Sequence, residues 1–338
     1  MENTRKPTDE VFRALSGAVR HLQPGQTVRV ALSGGLDSVV LLHGLVQWRE
    51  REVISLSALH VNHQLQSMAT QWSEFCGTLC RQWQVPLVTE TVTIVRQPGQ
   101  SLEAEARRAR YDAYRRQLVD WVVLAHHQDD QAETLLLQLL RGAGIPGLQG
   151  MPMCRTLDDG TNLLRPLLGL SRATLERYAA HHGLSWVEDP SNREVRFTRN
   201  YLRHRVAPLL DEIAPSWRRT LARSATHLAA AQRLLDDMAQ QDYHHCQRGD
   251  GIDGRLLREL SSERGINLLR WWARKMGAPP CSTGRWEDWW HQCRAGPDRH
   301  PRLRWGGWVV FRERGVWYGC RETDVVREST AGSRDMLE

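Results

Sequence analysis

The chain has 338 residues, a formal net charge of +6 and 41% hydrophobic side chains, which is length for two or three domains and apolar content enough for a real core. That composition excludes a disordered chain, and the lack of any apolar run near the ~18 residues a membrane helix needs excludes a membrane protein of that kind. Seven cysteines without a CxxC pair suggest neither a zinc ribbon nor a disulfide framework. The positive charge suits a polyanionic partner without demanding one. Lys6 and Lys275 are the only lysines, and neither sits in a motif that could form a covalent lysyl-nucleotide. Residues 1–10 are polar and lack the apolar stretch of a targeting signal, so the expected location is cytoplasmic.

Along the chain, a helix is expected over 11–21, then a β-rich run over 27–32, a glycine turn and an apolar helix over 38–48. The alternation continues with a strand over 55–61, a helix over 69–83, a strand over 86–92, a helix over 101–118, a strand over 121–125 and a helix over 132–141. Residues 142–150, with Pro146 among them, break that helix, and 162–167 reads as a last strand. Alternating β and α predicts an α/β fold on a doubly wound parallel sheet, assigned to a domain over 1–200.

Residues 201–210 and 216–246 read as helices, the second amphipathic through Leu221, Ala225, Leu228, Leu235 and Met238. They make a helical linker region over 201–250, with a seam expected around 249–254. The remainder, 251–325, is expected to be a small α+β substrate domain. Eight of the 14 tryptophans lie between Arg255 and Tyr318, mixed with arginines that could bind RNA. The helical spacing of Leu268, Trp271, Trp272 and Met276 instead favours a core role for most of these rings.

Three segments carry chemistry. The first, Ser33-Gly34-Gly35-Leu36-Asp37-Ser38, falls where a strand gives way to a helix. Its glycines let backbone amides approach a phosphate whose charge the helix dipole favours. It lacks the lysine of a Walker A loop and the GxGxxG of a dinucleotide fold. The competing reading is an ordinary turn with Asp37 or Ser38 as helix cap. The second, His126-His127-Gln128-Asp129-Asp130-Gln131-Ala132-Glu133-Thr134, lies at the end of another parallel strand, where ligands of open α/β sheets bind. Its oxygens suit a hard cation, although the aspartates could serve as caps and the histidines could satisfy nearby carbonyls. In the third, running from Ser101 to Tyr111, Arg107 and Arg110 stand one helical turn apart and suit phosphate contact, unless they belong to a solvated, salt-bridged face.

The hexapeptide SGGLDS resembles the PP-loop of the ATP pyrophosphatases, which implies that ATP enters and pyrophosphate leaves. The ordered set is more specific. SGGLDS, His60-Val61-Asn62-His63, EARRARY, HHQDDQAET, Arg141-Gly142-Ala143-Gly144-Ile145-Pro146-Gly147-Leu148, Arg165-Pro166-Leu167-Leu168, Glu188-Asp189-Pro190-Ser191-Asn192 and Thr198-Arg199-Asn200-Tyr201-Leu202-Arg203 together resemble the tRNA(Ile)-lysidine synthetase family over roughly residues 20–320. The resemblance implies ligation of free L-lysine to the wobble cytidine of the isoleucine tRNA with a CAU anticodon, through an adenylated base.

By the same resemblance, Ser33, Gly34, Gly35, Leu36, Asp37 and Ser38 bind ATP, and Asp37 and Asp130 hold magnesium. Asp37, Arg107, His126 and Asp130 are the expected catalytic residues, with Arg110 as the alternative to Arg107. Asn62, His63, Arg110 and Glu133 are expected at the substrate, Glu133 with the 142–148 loop for the ammonium groups of lysine. No membrane partner is expected, and a homodimer is left open. The sequence departs from the family at Gln66, where an arginine is common, and at Ala143, where a hydroxyl residue is usual. Longer members carry a further C-terminal domain that aids recognition of the acceptor stem. A thiolase of the same superfamily is the alternative, and for it Cys76 and Cys80 would be the candidate sulfur carriers.

Overall fold

A computed structural model describes residues 7–49, 54–64, 68–94, 102–294 and 301–324. Gln66, one of the departures noted above, lies outside the described residues. The chain divides into two compact units, residues 1–229 and 230–338.

The first unit opens with α1 (Pro7–Val19), β1 (Thr27–Ala31), α2 (Leu36–Arg49), β2 (Ser55–Asn62), α3 (Ala69–Gln82) and β3 (Leu87–Thr91). It continues with α4 (Leu102–Arg115), β4 (Trp121–Val123), α5 (Gln128–Leu140), the single turn α6 (Ile145–Leu148), β5 (Cys154–Thr156), β6 (Asn162–Leu164) and α7 (Arg172–His181). After a 3-10 turn over Pro190–Arg193, α8 (Thr198–Tyr201) passes through a π-helical turn over Leu202–Val206 into α9 (Ala207–Ile213), and α10 (Trp217–Cys246) follows.

The strands form one six-stranded sheet in the order β3-β2-β1-β4-β6-β5. All its pairings are parallel except β5 with β6. That hairpin partner is missing from the sequence reading, since three residues are too few to show an alternation, and α7 was not read from the sequence either. The α/β expectation is otherwise met, with helices on both faces. On one, α2 is buried around almost its whole circumference, as its largely apolar sequence LDSVVLLHGLV requires, and α1 and α7 pack against it. On the other, Tyr114 of α4 joins Leu59, Val122, Leu124 and Leu163 of the strands in a second cluster.

Because β1 pairs with β2 on one side and β4 on the other, the chain reverses its winding between β1 and β4. Crevices at such points, outside the carboxyl ends of the strands, are where open α/β sheets bind ligands. SGGLDS follows β1 and HHQDD follows β4, so the topology delivers both to that crevice.

The second unit contains the later part of α10, β7 (Gln247–Arg248), β8 (Gly251–Asp253), α11 (Gly254–Glu259), α12 (Ser262–Lys275), α13 (Thr283–Cys293), β9 (Arg302–Trp305), β10 (Trp308–Glu313) and β11 (Val316–Arg321). Its five strands make an antiparallel sheet in the order β7-β8-β11-β10-β9. Residues 249–254, read from sequence as a seam, lie in the β7–β8 hairpin and the start of α11. Trp271, Trp272, Trp286, Trp289, Trp290, Trp305 and Trp317 are all buried in one cluster. Trp286 and Trp289 stack at 5.4 Å. Rings of this kind each remove about 150–250 Å² from water, so tryptophan builds most of this small core.

Candidate active site

The PP-loop is held by its own hydroxyls. Ser33 Oγ and Ser38 Oγ lie 3.1 Å apart, Ser38 Oγ donates to the Gly35 carbonyl at 2.9 Å, and the Gly35 amide donates to Ser33 Oγ at 3.3 Å. The two glycines serve different ends. Gly34 has φ of +87°, and a Cβ there would lie 2.9 Å from Val187 Cγ2, so packing and backbone both demand glycine. At Gly35 the nearest atom to such a Cβ is 3.5 Å away, so the protein's own packing leaves room above that amide. Leu36 is buried in the core, and only its backbone can meet a ligand.

Asp37, in the first turn of α2, has a buried Oδ1 with no hydrogen-bond partner among the described residues. Its Oδ2 lies 3.6 Å from His127 Nε2, which is also 3.4 Å from Asp130 Oδ2. His127 is 1% exposed. Burial alone would make it a weaker base, but the hydrogen bond with Asp37 and the charges of Asp130, Asp37 and Asp129 outweigh burial and lift its pKa. His127 thus stands between the two aspartates expected to hold magnesium, and they favour its charged form. It was not among the expected site residues.

Helix α5 begins at Gln128, four residues before the expected start, so Asp129, Asp130 and Glu133 project from its first two turns. Asp130 accepts the His127 amide at 3.1 Å, which is the capping role the sequence left open. It also accepts from Arg203 at 2.8 Å. Burial pushes the Asp130 carboxyl up, yet His127, Arg199 and Arg203 hold it down at about 2. Glu133 is 5% exposed and is bonded by Arg199 at 2.9 Å and by Arg203 at 2.6 and 2.9 Å. Two carboxylates and two guanidinium groups therefore form one compact cluster. The arginines come from the TRNYLR segment, whose four-residue spacing matches the three-residue spacing of Asp130 and Glu133 across facing helices.

His126 points to different neighbours. Its Nδ1 is buried without a partner, and burial first, then Arg165, Arg199 and Arg107, bring its pKa down to about 3, against the opposing pull of Asp130. Arg107 donates to the Tyr111 hydroxyl at 3.1 Å and lies over that ring at 4.9 Å. The salt-bridged positions on this helix are Arg108, paired with Glu105 at 2.5 Å, and Arg115, paired with Asp112 at 2.9 Å; Arg107 and Arg110 make no ion pair among the described residues.

Asn62 closes its own loop, accepting from the Gln64 amide at 2.9 Å and donating to Ser73 at 3.1 Å. His63 is brought down to about 4 by burial, then by the charge of Arg110 and by His60. No hydrogen bond or ion pair among the described residues joins either Asn62 or His63 to Asp37.

No group of three or more histidine, cysteine or acidic side chains among the described residues could cage a metal unaided. The unpartnered Asp37 oxygen fits the other mode, in which magnesium keeps its waters and phosphate ligands and takes one or two carboxylates. Cys76 and Cys80 fit sulfur transfer poorly. Burial, with Cys80 adding to it, pushes the Cys76 thiol up to about 12, and burial pushes Cys80 to about 11.

In the second unit, Arg248, Arg255, Arg258 and Arg312 line a concavity of about 350 Å³ whose one acid, Asp253, already accepts the α11 amides of Arg255 and Leu256 at 2.8 and 3.3 Å. No described helix is long and apolar enough to cross a membrane.

A serine- and glycine-built anion loop at the switch point of a doubly wound sheet, with an acidic group beside it, defines a PP-loop protein. Residues 7–210 match the PP-loop domain family, and residues 255–318 match the TilS substrate binding domain. The chain is 46% identical over 266 residues to a tRNA(Ile)-lysidine synthase of Nitrosomonas europaea, covering 78% of this chain and 57% of that one. It is 42% identical over 318 residues to its counterpart in Pseudomonas fluorescens, covering 90% and 71%. The chain belongs to the tRNA(Ile)-lysidine synthase family. At 15% identity and a TM-score of 0.55, over 66% of this chain and 79% of the other, it shares its fold with a U34-tRNA thiolase of Methanococcus maripaludis.

Proposed function

We propose that the chain ligates free L-lysine to C2 of the wobble cytidine in the isoleucine tRNA with a CAU anticodon, consuming ATP and releasing pyrophosphate and AMP. The observation that carries this reading is the juxtaposition, at one switch point, of a phosphate loop and a cluster of both charges. Glu133 supplies the carboxylate an ammonium needs, while Arg199 and Arg203 supply the guanidinium groups a carboxylate needs. A free amino acid carries both charges and can exchange partners with such a cluster.

In this scheme the backbone amides of residues 33–38 receive the phosphates of ATP. The cytidine O2 attacks the α-phosphorus and pyrophosphate departs. An amine of lysine then adds at C2, AMP leaves with the O2 oxygen, and the amine loses its proton. Asp37, with Asp130 second to it, would hold magnesium, which supplies charge neutralisation for the phosphates. Arg107, with Arg110 as its alternative, stabilises negative charge as it develops on the phosphates. His126 is neutral and offers a ring nitrogen to phosphate or base. The arginine-lined concavity of the second unit suits the RNA backbone. The reaction belongs in the cytoplasm, where the tRNA is.

Buried thiols at positions 76 and 80 weigh against the thiolase reading. Transfer of radiolabelled lysine to isoleucine tRNA tests the proposal. Label should enter the CAU-anticodon transcript only with ATP, and should not enter the same transcript with uridine at the wobble position. Label entering both would refute it.

A further inference from the structure

The Gly34–Gly35 peptide is the most freely turning unit of the phosphate loop, and a residue from a distant part of the chain holds it. The Gly34 carbonyl accepts the Val187 amide at 2.9 Å. Val187 Cγ2 closes over the Gly34 α-carbon, 2.9 Å from where a Cβ would stand, while Cys76 and Phe75 of α3 close the same position at 3.2 and 3.5 Å. The Val187 carbonyl lies 3.9 Å from the corresponding point on Gly35. Val187 thus meets the loop through its amide, its side chain and its carbonyl.

That contact decides where the Gly35 amide points. The carbonyl of Gly34 and the N–H of Gly35 belong to one planar peptide unit, and in the trans form found here they point in opposite directions. A Gly-Gly peptide can flip at little steric cost, because glycine takes up φ of either sign. The flip would turn the carbonyl oxygen, instead of the N–H, toward an incoming phosphate. Within the loop the Gly35 amide meets Ser33 Oγ at 3.3 Å, which is long for a hydrogen bond. The bond from Val187 holds the other end of the same unit and polarises it, so the N–H becomes the better donor.

Val187 is itself held from both sides. Before it, α7 ends in a Schellman turn, in which Leu184 donates to Ala179 at 2.9 Å and Gly183, with φ of +60°, donates to Ala180 at 3.3 Å. Leu184 packs against the core cluster that holds α2. After it, the Asp189 carboxylate accepts the Ser191 amide at 2.8 Å. The buried Asn200 side chain donates to the Ser191 and Glu194 carbonyls at 2.8 and 3.1 Å.

We propose that Val187 is a positioning residue that, through the carbonyl of Gly34, aims the Gly35 amide at the phosphates of ATP. The inference rests on the reading above, since it presumes that ATP occupies this loop. Val187 touches neither ATP nor tRNA in this scheme; the Gly35 amide touches ATP.

The test is calorimetric titration of the full chain with ATP and magnesium, beside steady-state pyrophosphate release with lysine and isoleucine tRNA. Placing the α-hydroxy analogue of valine at position 187 replaces the amide by an ester and deletes one hydrogen bond. It should weaken ATP binding and raise KM for ATP about tenfold, with kcat within about threefold and KM for lysine within about twofold. Val187→Ala, which keeps the amide and opens the packing, should raise KM for ATP about threefold, and Val187→Ile, which keeps the branch, should restore it. Gly35→Ala combined with the ester should bind ATP within about twofold of Gly35→Ala alone, because the amide is then already blocked. Should the ester protein not fold, the split between KM for ATP and KM for lysine in Val187→Ala decides in its place. Wild-type ATP affinity in the ester protein, equal losses for ATP and lysine, or multiplicative effects with Gly35→Ala would overturn the inference and leave the ligase reading standing. A wild-type chain that binds no ATP would overturn both.

Discussion

Arg218 Nε lies 3.1 Å from Asp129 Oδ2, and this pairing separates the roles of two adjacent aspartates. The other Asp129 oxygen accepts the backbone amide of Arg172 at 3.1 Å, so Asp129 ties α5 to the starts of α7 and α10. Asp130 belongs instead to the cluster with Arg203 and His127. Asp129→Asn should therefore lower the melting temperature by about 3–5 °C while pyrophosphate release stays within about threefold. Asp130→Asn should do the reverse, with a loss of about 100-fold or more in kcat. Paired calorimetry and pyrophosphate assays on the two variants decide it, and equal activities would show the assignment to be wrong.

Asp37 has an oxygen that nothing among the described residues satisfies. Removing it should cost the fold little, because the carboxylate shares His127 with a second acid and makes no other ion pair among the described residues. Asp37→Asn should melt within about 2 °C of the parent and release pyrophosphate at least about 100-fold more slowly. A large fall in melting temperature would mean that Asp37 is structural.

The two loop glycines should fail differently. Gly34→Ala places a methyl group 2.9 Å from Val187 Cγ2 at a φ of +87°, so it should be destabilised by about 1–3 kcal/mol in urea unfolding. Gly35→Ala meets nothing closer than 3.5 Å and should unfold like the parent. Its methyl group would occupy the space above the amide, raising KM for ATP about tenfold. If Gly35→Ala bound ATP normally, the phosphate would have to sit elsewhere on the loop.

A pH dependence of stability follows from His43. Its ring is hydrogen-bonded to the Tyr178 hydroxyl at 2.9 Å and packed against Trp83 and His182, and burial, then His182, brings its pKa down to about 4. In the unfolded chain the same group titrates near ~6.5. As pH falls through that value the unfolded state takes up a proton that the native state refuses, so stability drops between about pH 6.5 and 4 and levels off below. In His43→Gln the urea midpoint should fall less steeply over that window than in the parent. Parallel curves would exclude His43 as a source of the slope.

Much of this was legible in the sequence because backbone rules carried it. The β-α alternation from Thr27 to Leu140 announces a doubly wound sheet, and SGGLDS and HHQDD each sit where a strand becomes a helix. The spacing of Leu268, Trp271 and Trp272 correctly favoured a tryptophan core. What the sequence hid depends on side-chain direction in three dimensions. His126 and His127 are neighbours in the chain, but only His127 turns between the aspartates, and no pattern in one sequence distinguishes them. Arg199 and Arg203 were quoted as part of a segment, yet their pairing with Asp130 and Glu133 spans about 70 residues, a separation that local periodicity cannot bridge. The burial of Arg165 was equally invisible, since arginine is read as a surface residue by default.

The most direct test of the central claim is mass spectrometry of the wobble nucleoside after incubation of the protein with ATP, magnesium, lysine and unmodified isoleucine tRNA. The account predicts a lysine-dependent gain of one lysyl group on cytidine, matched by release of one pyrophosphate and abolished in Asp37→Asn. Pyrophosphate release with no lysyl group on the base would contradict it and assign the loop to a different nucleophile.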